Sequence, residues 1–116
     1  MFRPISLLLV VACAISAGCG PSPDTPAGRC AAVVKAHLDL QGGVALVGKA
    51  REEPDGSVAI EYEGTGPMNL PVRGSAVCSF AVSPQGELEL EGAIVDGNPL
   101  AEDEIAAIRR KLASGG

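Results

Sequence analysis

The stretch SAVCSFAVSPQGELELE, residues 75–91, decides the fold of this chain. Its first half predicts a strand over residues 75–83 with four inward-facing side chains: Ala76, Cys78, Phe80 and Val82. Its second half alternates strictly, with the leucines inward and the glutamates outward: Leu88 and Leu90 against Glu87, Glu89 and Glu91. Such alternation is typical of a strand with one buried and one wet face. The short Pro84-Gln85-Gly86 turn between the strands makes the pair antiparallel.

The flanking sequence predicts two more strands and two helices. The strands cover residues 44–51 and 57–63, and the helices cover Cys30–Gln41 and Leu100–Ala113. The order helix, four strands, helix predicts an α+β domain (α-β-β-β-β-α). Because one face of the sheet carries glutamates, the N-terminal and C-terminal helices are expected to pack together on the other face of a four-stranded antiparallel sheet.

The N-terminus predicts an export signal rather than a part of this domain. A single basic residue, Arg3, precedes a charge-free run of 13 residues from Ile5 to Ala17. A membrane-spanning helix needs about 20 apolar residues, whereas a signal-peptide core is shorter. Small residues follow, as cleavage requires. We therefore interpret residues 1–18 as a signal peptide.

The residues Ser16-Ala17-Gly18-Cys19 resemble the lipobox of bacterial lipoprotein precursors. That resemblance implies cleavage before Cys19, diacylglycerol on its sulfur, and a position on the extracytoplasmic face of a bacterial membrane. In enteric members of the family, Asp after the lipidated Cys retains the protein in the inner membrane. Gly20 at that position favours the outer membrane where one exists. Cys13 also ends a matching tetrapeptide, but cleavage there would leave too short an apolar run.

The sequence after the predicted cleavage site divides into a tether and one domain. Residues 19–28 are rich in proline and glycine and predict a flexible tether, and residues 29–116 predict a single small domain. The chain carries a net charge of −5, which becomes −6 once Arg3 is removed. This acidity argues against nucleic acid as a partner, so the expected partners are the membrane, through the acyl chains, and a protein of the cell envelope.

Two cysteines remain beyond the leader and the lipid site. Cys30 and Cys78 both face inward in the predicted elements, and an oxidising compartment allows them to pair. We expect a disulfide that joins the first helix to the third strand. The alternative is two free buried thiols.

The sequence contains no recognisable catalytic or metal site, and we do not expect an enzyme or a cofactor. His37 is the only histidine, and no nucleophile motif accompanies it. The carboxylates of Glu87, Glu89 and Glu91 form a ladder along one strand, whereas Ca²⁺ needs about 6–8 converging oxygens. Asp96-Gly97-Asn98 is interpreted as a turn.

Residues 64–74, GTGPMNLPVRG, predict a long irregular loop that carries apolar side chains and one cation. Loops of this kind are often functional. The expected partner-binding residues are Met68, Leu70, Val72 and Arg73. The alternative is that the apolar side chains tuck over the edge of the core.

The resulting functional hypothesis is a non-catalytic binding or assembly module. The alternative is an extracytoplasmic carrier or sensor of a small apolar ligand, held between sheet and helices. Its expected lining residues are Leu46, Val58, Ile60, Phe80 and Leu90.

Overall fold

Two helices and an antiparallel sheet make up the α+β fold, seen in a computed structural model that describes residues 25–114. The elements in chain order are α1 (Pro26–Leu38), β1 (Ala45–Leu46), β2 (Arg51–Glu52), β3 (Ser57–Thr65), a 3-10 turn (Pro67–Asn69), β4 (Pro71–Val82), β5 (Leu88–Val95), β6 (Asn98–Pro99) and α2 (Glu102–Ala113). None of these helices is long and apolar enough to cross a membrane.

The sheet has six strands in the described residues, where the sequence predicts four. Its order is β1–β3–β4–β5–β6, and β2 also pairs with β3. The predicted strand 44–51 is two strands of two residues each. Gly48, whose φ of 73° breaks an extended chain, lies between them. Beyond Asp96-Gly97, β6 turns back to pair with Ile94 and Val95. The class, the antiparallel pairing and the two helices are confirmed.

The core lies between the helices and one face of the sheet. From α1 it takes Cys30, Val33 and Val34, and from α2 it takes Ile105 and Ile108. The sheet contributes alternate residues of its three long strands: Val58, Ile60, Tyr62, Ala76, Cys78, Leu90, Ala93 and Val95. The helices also contact each other. A two-layer arrangement of this kind buries the apolar stripe of each element against the other layer.

A β-bulge divides the ladder between β4 and β5. The register shifts between Ser79 and Phe80, so Leu90 and Ala93 both face the helices although they are three residues apart. Beyond the bulge, Phe80 still packs against the core, whereas Val82 is 69% exposed. The expectation that the Val82 side chain is buried is therefore wrong, because β4 extends beyond the part of the sheet on which the helices pack.

Helix α1 begins earlier than the sequence analysis predicts. The Oγ1 atom of Thr25 accepts a hydrogen bond from the backbone N of Gly28 at 3.0 Å, and Pro26 occupies the first turn. These are standard features of a helix N-terminus. Residues 26–28, which were assigned to the tether, therefore belong to the helix. The helix ends at Leu38, before the predicted Gln41, because Asp39 takes a left-handed conformation. Residues 1–24, including Cys19, lie outside the described residues.

Candidate functional site

Residues 64–74 form the end of the β3–β4 hairpin and not an irregular loop. The ladder between the two strands continues without a break from Ser57↔Ser79 to Thr65↔Pro71. The glycines and prolines of this segment indicate a loop, but the hairpin accommodates them. Pro71 is the first residue of β4, a position at which a strand tolerates proline. Beyond the pair Ala76↔Val95, where β5 ends, the hairpin continues for five more residues, or about 16 Å.

The chain reverses at the tip of this hairpin through two left-handed residues. Met68 and Asn69 both have φ of 60°. Leu70 donates from its backbone N to the carbonyl of Pro67 at 3.2 Å, and the backbone N of Gly66 donates to the carbonyl of Leu70 at 2.8 Å. Asn visits the left-handed region readily, whereas a long side chain such as that of methionine does so at a cost of about 1–2 kcal/mol. The conformation of Met68 therefore stores strain at the surface.

The hairpin tip, residues Pro67–Leu70, presents its apolar side chains to solvent. Met68 is 88% exposed and Leu70 is 59% exposed. Neither belongs to the buried cluster or to the half-buried residues packed against it. The alternative in which these two side chains tuck over the core edge does not describe the structure. The site is distinguished by an exposed apolar residue in a strained backbone conformation, Met68, at the end of a continuously paired hairpin.

The other two residues proposed for the site have local partners. Val72 is half-buried and packs against the core. A Cβ added at Gly66 would lie 2.8 Å from the Cγ2 atom of Val72. Only glycine at position 66 therefore allows the backbone of the tip to approach Val72 this closely. Arg73 pairs with Glu63, its neighbour across the ladder, through Nε and Oε2 at 3.2 Å. Arg73 therefore has an acidic partner within the hairpin, and the exposed apolar side chains of the site are those of the hairpin tip.

The base of the hairpin is held by a contact that sequence reasoning missed. Tyr62, 1% exposed, donates its hydroxyl proton to Oδ2 of Asp96 at 2.8 Å. Oδ1 of Asp96 accepts from the backbone N of Ser75 at 3.0 Å. Both contacts cross over Gly74, where an added Cβ would collide with the Asp96 carboxylate and lie 2.6 Å from the Tyr62 hydroxyl. Burial, and then the hydrogen bond to Asp96, raise the pKa of Tyr62 above its ordinary value. The Asp96-Gly97 pair signals a turn, but nothing local in the sequence links it to Tyr62.

The hairpin tip and the start of α1 lie at opposite ends of the domain. Just after α1 ends, the backbone N of Gln41 donates to the carbonyl of Thr65 at 3.2 Å, beside the tip. Near the start of α1, Arg29 bonds to Leu88 at the far end of the sheet. A helix of 13 residues is about 20 Å long, so it separates the two regions by roughly that distance.

The expected disulfide is present. Cys30 of α1 and Cys78 of β4 are bonded, with 5.7 Å between their Cα atoms, and both are fully buried. The bond joins the helix to the central region of the sheet, as predicted. It also fixes α1 relative to the strand that carries the hairpin.

The remaining candidate residues do not converge. Glu87, Glu89 and Glu91 are exposed. His37 Nδ1 lies 3.9 Å from Glu104 Oε2 on α2. Among residues 25–114, no group of three or more histidine, cysteine or acidic residues is placed to hold a metal ion.

The residues expected to line a ligand cavity between the layers lie in and around the core. Val58, Ile60 and Leu90 are buried in the core cluster, while Leu46 and Phe80 are half-buried and packed against it. No protein-family model, curated protein or solved structure matches this chain.

Proposed function

We propose that this protein is a lipid-anchored binding module of the bacterial cell envelope, and that the hairpin tip is the surface that docks on a partner protein. The observation that carries the proposal is the exposure of Met68 and Leu70 at the end of a continuously paired hairpin. A few buried anchor residues supply most of the binding energy in protein interfaces, and methionine adapts its shape to the surface it meets. The partner is therefore expected to offer an apolar pocket.

The direction of the hairpin supports a protein partner over the anchoring membrane. A lipid on Cys19 would hold the domain through the start of α1, and the tip lies at the other end of that helix. From Cys19 to Thr25 the chain can reach at most about 20 Å. An upright domain therefore presents Met68 away from the bilayer.

Site-specific photocrosslinking in the native membrane tests the proposal. A photoreactive amino acid replaces Met68 in the full chain, and the matched control places it at Gln85. Gln85 lies in the turn between β4 and β5 and is exposed as Met68 is, but it is polar. We expect a discrete protein adduct from position 68 and none from position 85. The same adducts from both positions, or none from position 68, would contradict the proposal.

A further inference from the structure

A groove with an apolar floor runs along the outer edge of β5, at the end of the domain remote from the hairpin tip. It has a volume of about 250 Å³. Side chains from the sheet and from α2 form its floor: Phe80, Leu88, Leu90 and Leu112. Pockets for drug-sized ligands measure about 300–1,000 Å³, so this groove suits a smaller molecule.

Two arginines, one from each helix, border the groove. Arg29 of α1 donates from Nη2 to the carbonyl of Leu88 at 2.9 Å. Arg109 of α2 donates from Nε to the carbonyl of Leu90 at 2.7 Å. Two residues of a strand span about 6.8 Å, so these bonds hold the two guanidinium groups side by side. Each group has further N–H donors that make no bond within residues 25–114.

Neither arginine of this pair forms a salt bridge within the described residues. In the part of the chain that the structure describes, no carboxylate oxygen lies within 4.0 Å of a nitrogen of Arg29 or Arg109. This includes Glu87 and Glu89, which also border the groove. Two neighbouring cations repel each other, and an anion placed between them relieves the repulsion. Arginine matches a carboxylate especially well because its planar fork can donate two parallel hydrogen bonds.

We propose that this groove binds a small amphiphilic carboxylate, with its carboxylate between Arg29 and Arg109 and its hydrocarbon tail along Phe80 and Leu112. The head group meets the only two guanidinium groups that line the groove, and the tail meets its apolar floor. This site is independent of the hairpin tip. The proposed ligand therefore binds at the edge of the sheet and not in the space between the sheet and the helices.

Arginine side-chain NMR on the full exported chain tests the proposal, with octanoate as the probe. The protein is studied in phosphatidylcholine nanodiscs if it carries a lipid and in buffer if it does not. We expect octanoate to shift the Nε signals of Arg29 and Arg109 saturably while that of Arg73 stays unchanged. Acetate, which lacks the tail, and octanol, which lacks the charge, should each bind at least tenfold more weakly.

A pair of variants on α2 provides the matched comparison. Arg109→Gln should weaken octanoate binding at least tenfold, whereas Arg110→Gln, at the next position and outside the groove, should leave it unchanged. Shifts that do not saturate, equal binding of octanol, or full affinity in Arg109→Gln would each overturn the proposal. If Arg109→Gln does not fold, the comparison of the three probes on the wild-type chain decides.

Discussion

The Tyr62 hydroxyl and the Asp96 carboxylate meet at 2.8 Å and join the base of the β3–β4 hairpin to the turn between β5 and β6. The two residues are 34 positions apart in sequence. Beyond β5 the only strand that pairs with the hairpin, among the described residues, is the two-residue strand β1, and the backbone N of Gln41 adds one hydrogen bond to Thr65. The Tyr62–Asp96 contact therefore adds a link between the base of the hairpin and the far side of the sheet.

Alkaline pH should weaken the fold through Tyr62. Its pKa is raised in the folded protein, so its contribution to stability is complete below the unfolded pKa of about 10 and declines as pH rises above that value. Between the unfolded and folded pKa values the free energy of unfolding should fall by about 1.4 kcal/mol per pH unit. In Tyr62→Phe this component should be absent. Urea unfolding across this pH range measures both proteins, and superimposable pH profiles would refute the prediction. Tyr62 is the only tyrosine in the chain, so phenolate absorbance reports its ionisation directly.

Two strand glycines should respond differently to alanine. At Gly74 a Cβ collides with Asp96, and overpacking of this kind costs about 1–3 kcal/mol. At Gly92 on β5 nothing lies within 4 Å of the added Cβ, so Gly92→Ala should change the free energy of unfolding by less than about 0.5 kcal/mol. Urea denaturation compares the two variants. Adding Asp96→Gly to Gly74→Ala should recover part of the loss, and no recovery would mean that the collision is not the cause.

Removal of the disulfide should destabilise the domain strongly. The Cys30–Cys78 bond closes a segment with a sequence separation of 48, for which chain entropy predicts about 4 kcal/mol. The double variant Cys30→Ala, Cys78→Ala should lose most of that amount in urea unfolding. Reduction of the wild-type protein by dithiothreitol should produce a comparable loss. A change below about 1 kcal/mol in both experiments would show that the unfolded chain gains little freedom when the bond is absent.

Glycine at positions 68 and 70 of the hairpin tip should have different effects on stability. Met68→Gly relieves a left-handed conformation and should leave the melting temperature unchanged or raise it. Leu70, with φ of −80°, is extended, so Leu70→Gly should cost about 0.5–1 kcal/mol. Both variants should lose the docking partner, because both remove apolar surface. Thermal unfolding and partner recovery from membranes separate stability from binding, and partner recovery at the wild-type level in Met68→Gly would count against the docking surface.

Cys19 should carry the lipid. Intact-mass analysis of the exported protein should find a diacylglyceryl adduct on an N-terminal Cys19. Cys19→Ser should lose the adduct, whereas Cys13→Ser should retain it, because Cys13 lies within the predicted leader. An exported wild-type protein that is soluble and unmodified would disprove this prediction.

The alternation of apolar and charged residues predicted the existence of the three long strands and most of their core-facing residues, although β3, β4 and β5 all extend beyond the predicted bounds. Val58, Ile60 and Tyr62 in β3, and Leu90 in β5, face the core as their period of two indicates. The disulfide was also predictable, because two inward-facing cysteines in adjacent elements have few other partners. Thr25 and Pro26 are residues typical of a helix N-terminus and could have predicted where α1 begins. The prolines and glycines around them instead favoured a flexible tether.

Other features depend on contacts distant in sequence. The bulge at Ser79 and Phe80 and the exposure of Val82 follow from how far the helices extend over the sheet. The glycines and prolines of residues 64–74 are compatible with either a loop or a hairpin end, so the sequence alone does not distinguish the two. The groove along the outer edge of β5 is lined by Arg29, Leu88 and Arg109, which come from three different elements. The periodicity within each element does not predict that these residues lie close together.

The hydrogen bonds from Arg29 and Arg109 also affect how copies of this protein behave towards each other. Free carbonyls on an outer strand are the groups through which sheets of separate molecules join into aggregates. Here the carbonyls of Leu88 and Leu90 are already occupied, and that of Ala93 accepts from the backbone N of Leu100 at 2.9 Å. At the opposite side, Gly48 interrupts the short strands that border β3. At this edge of β5, copies crowded together on a surface would therefore find few free carbonyls through which a continuous intermolecular sheet could form.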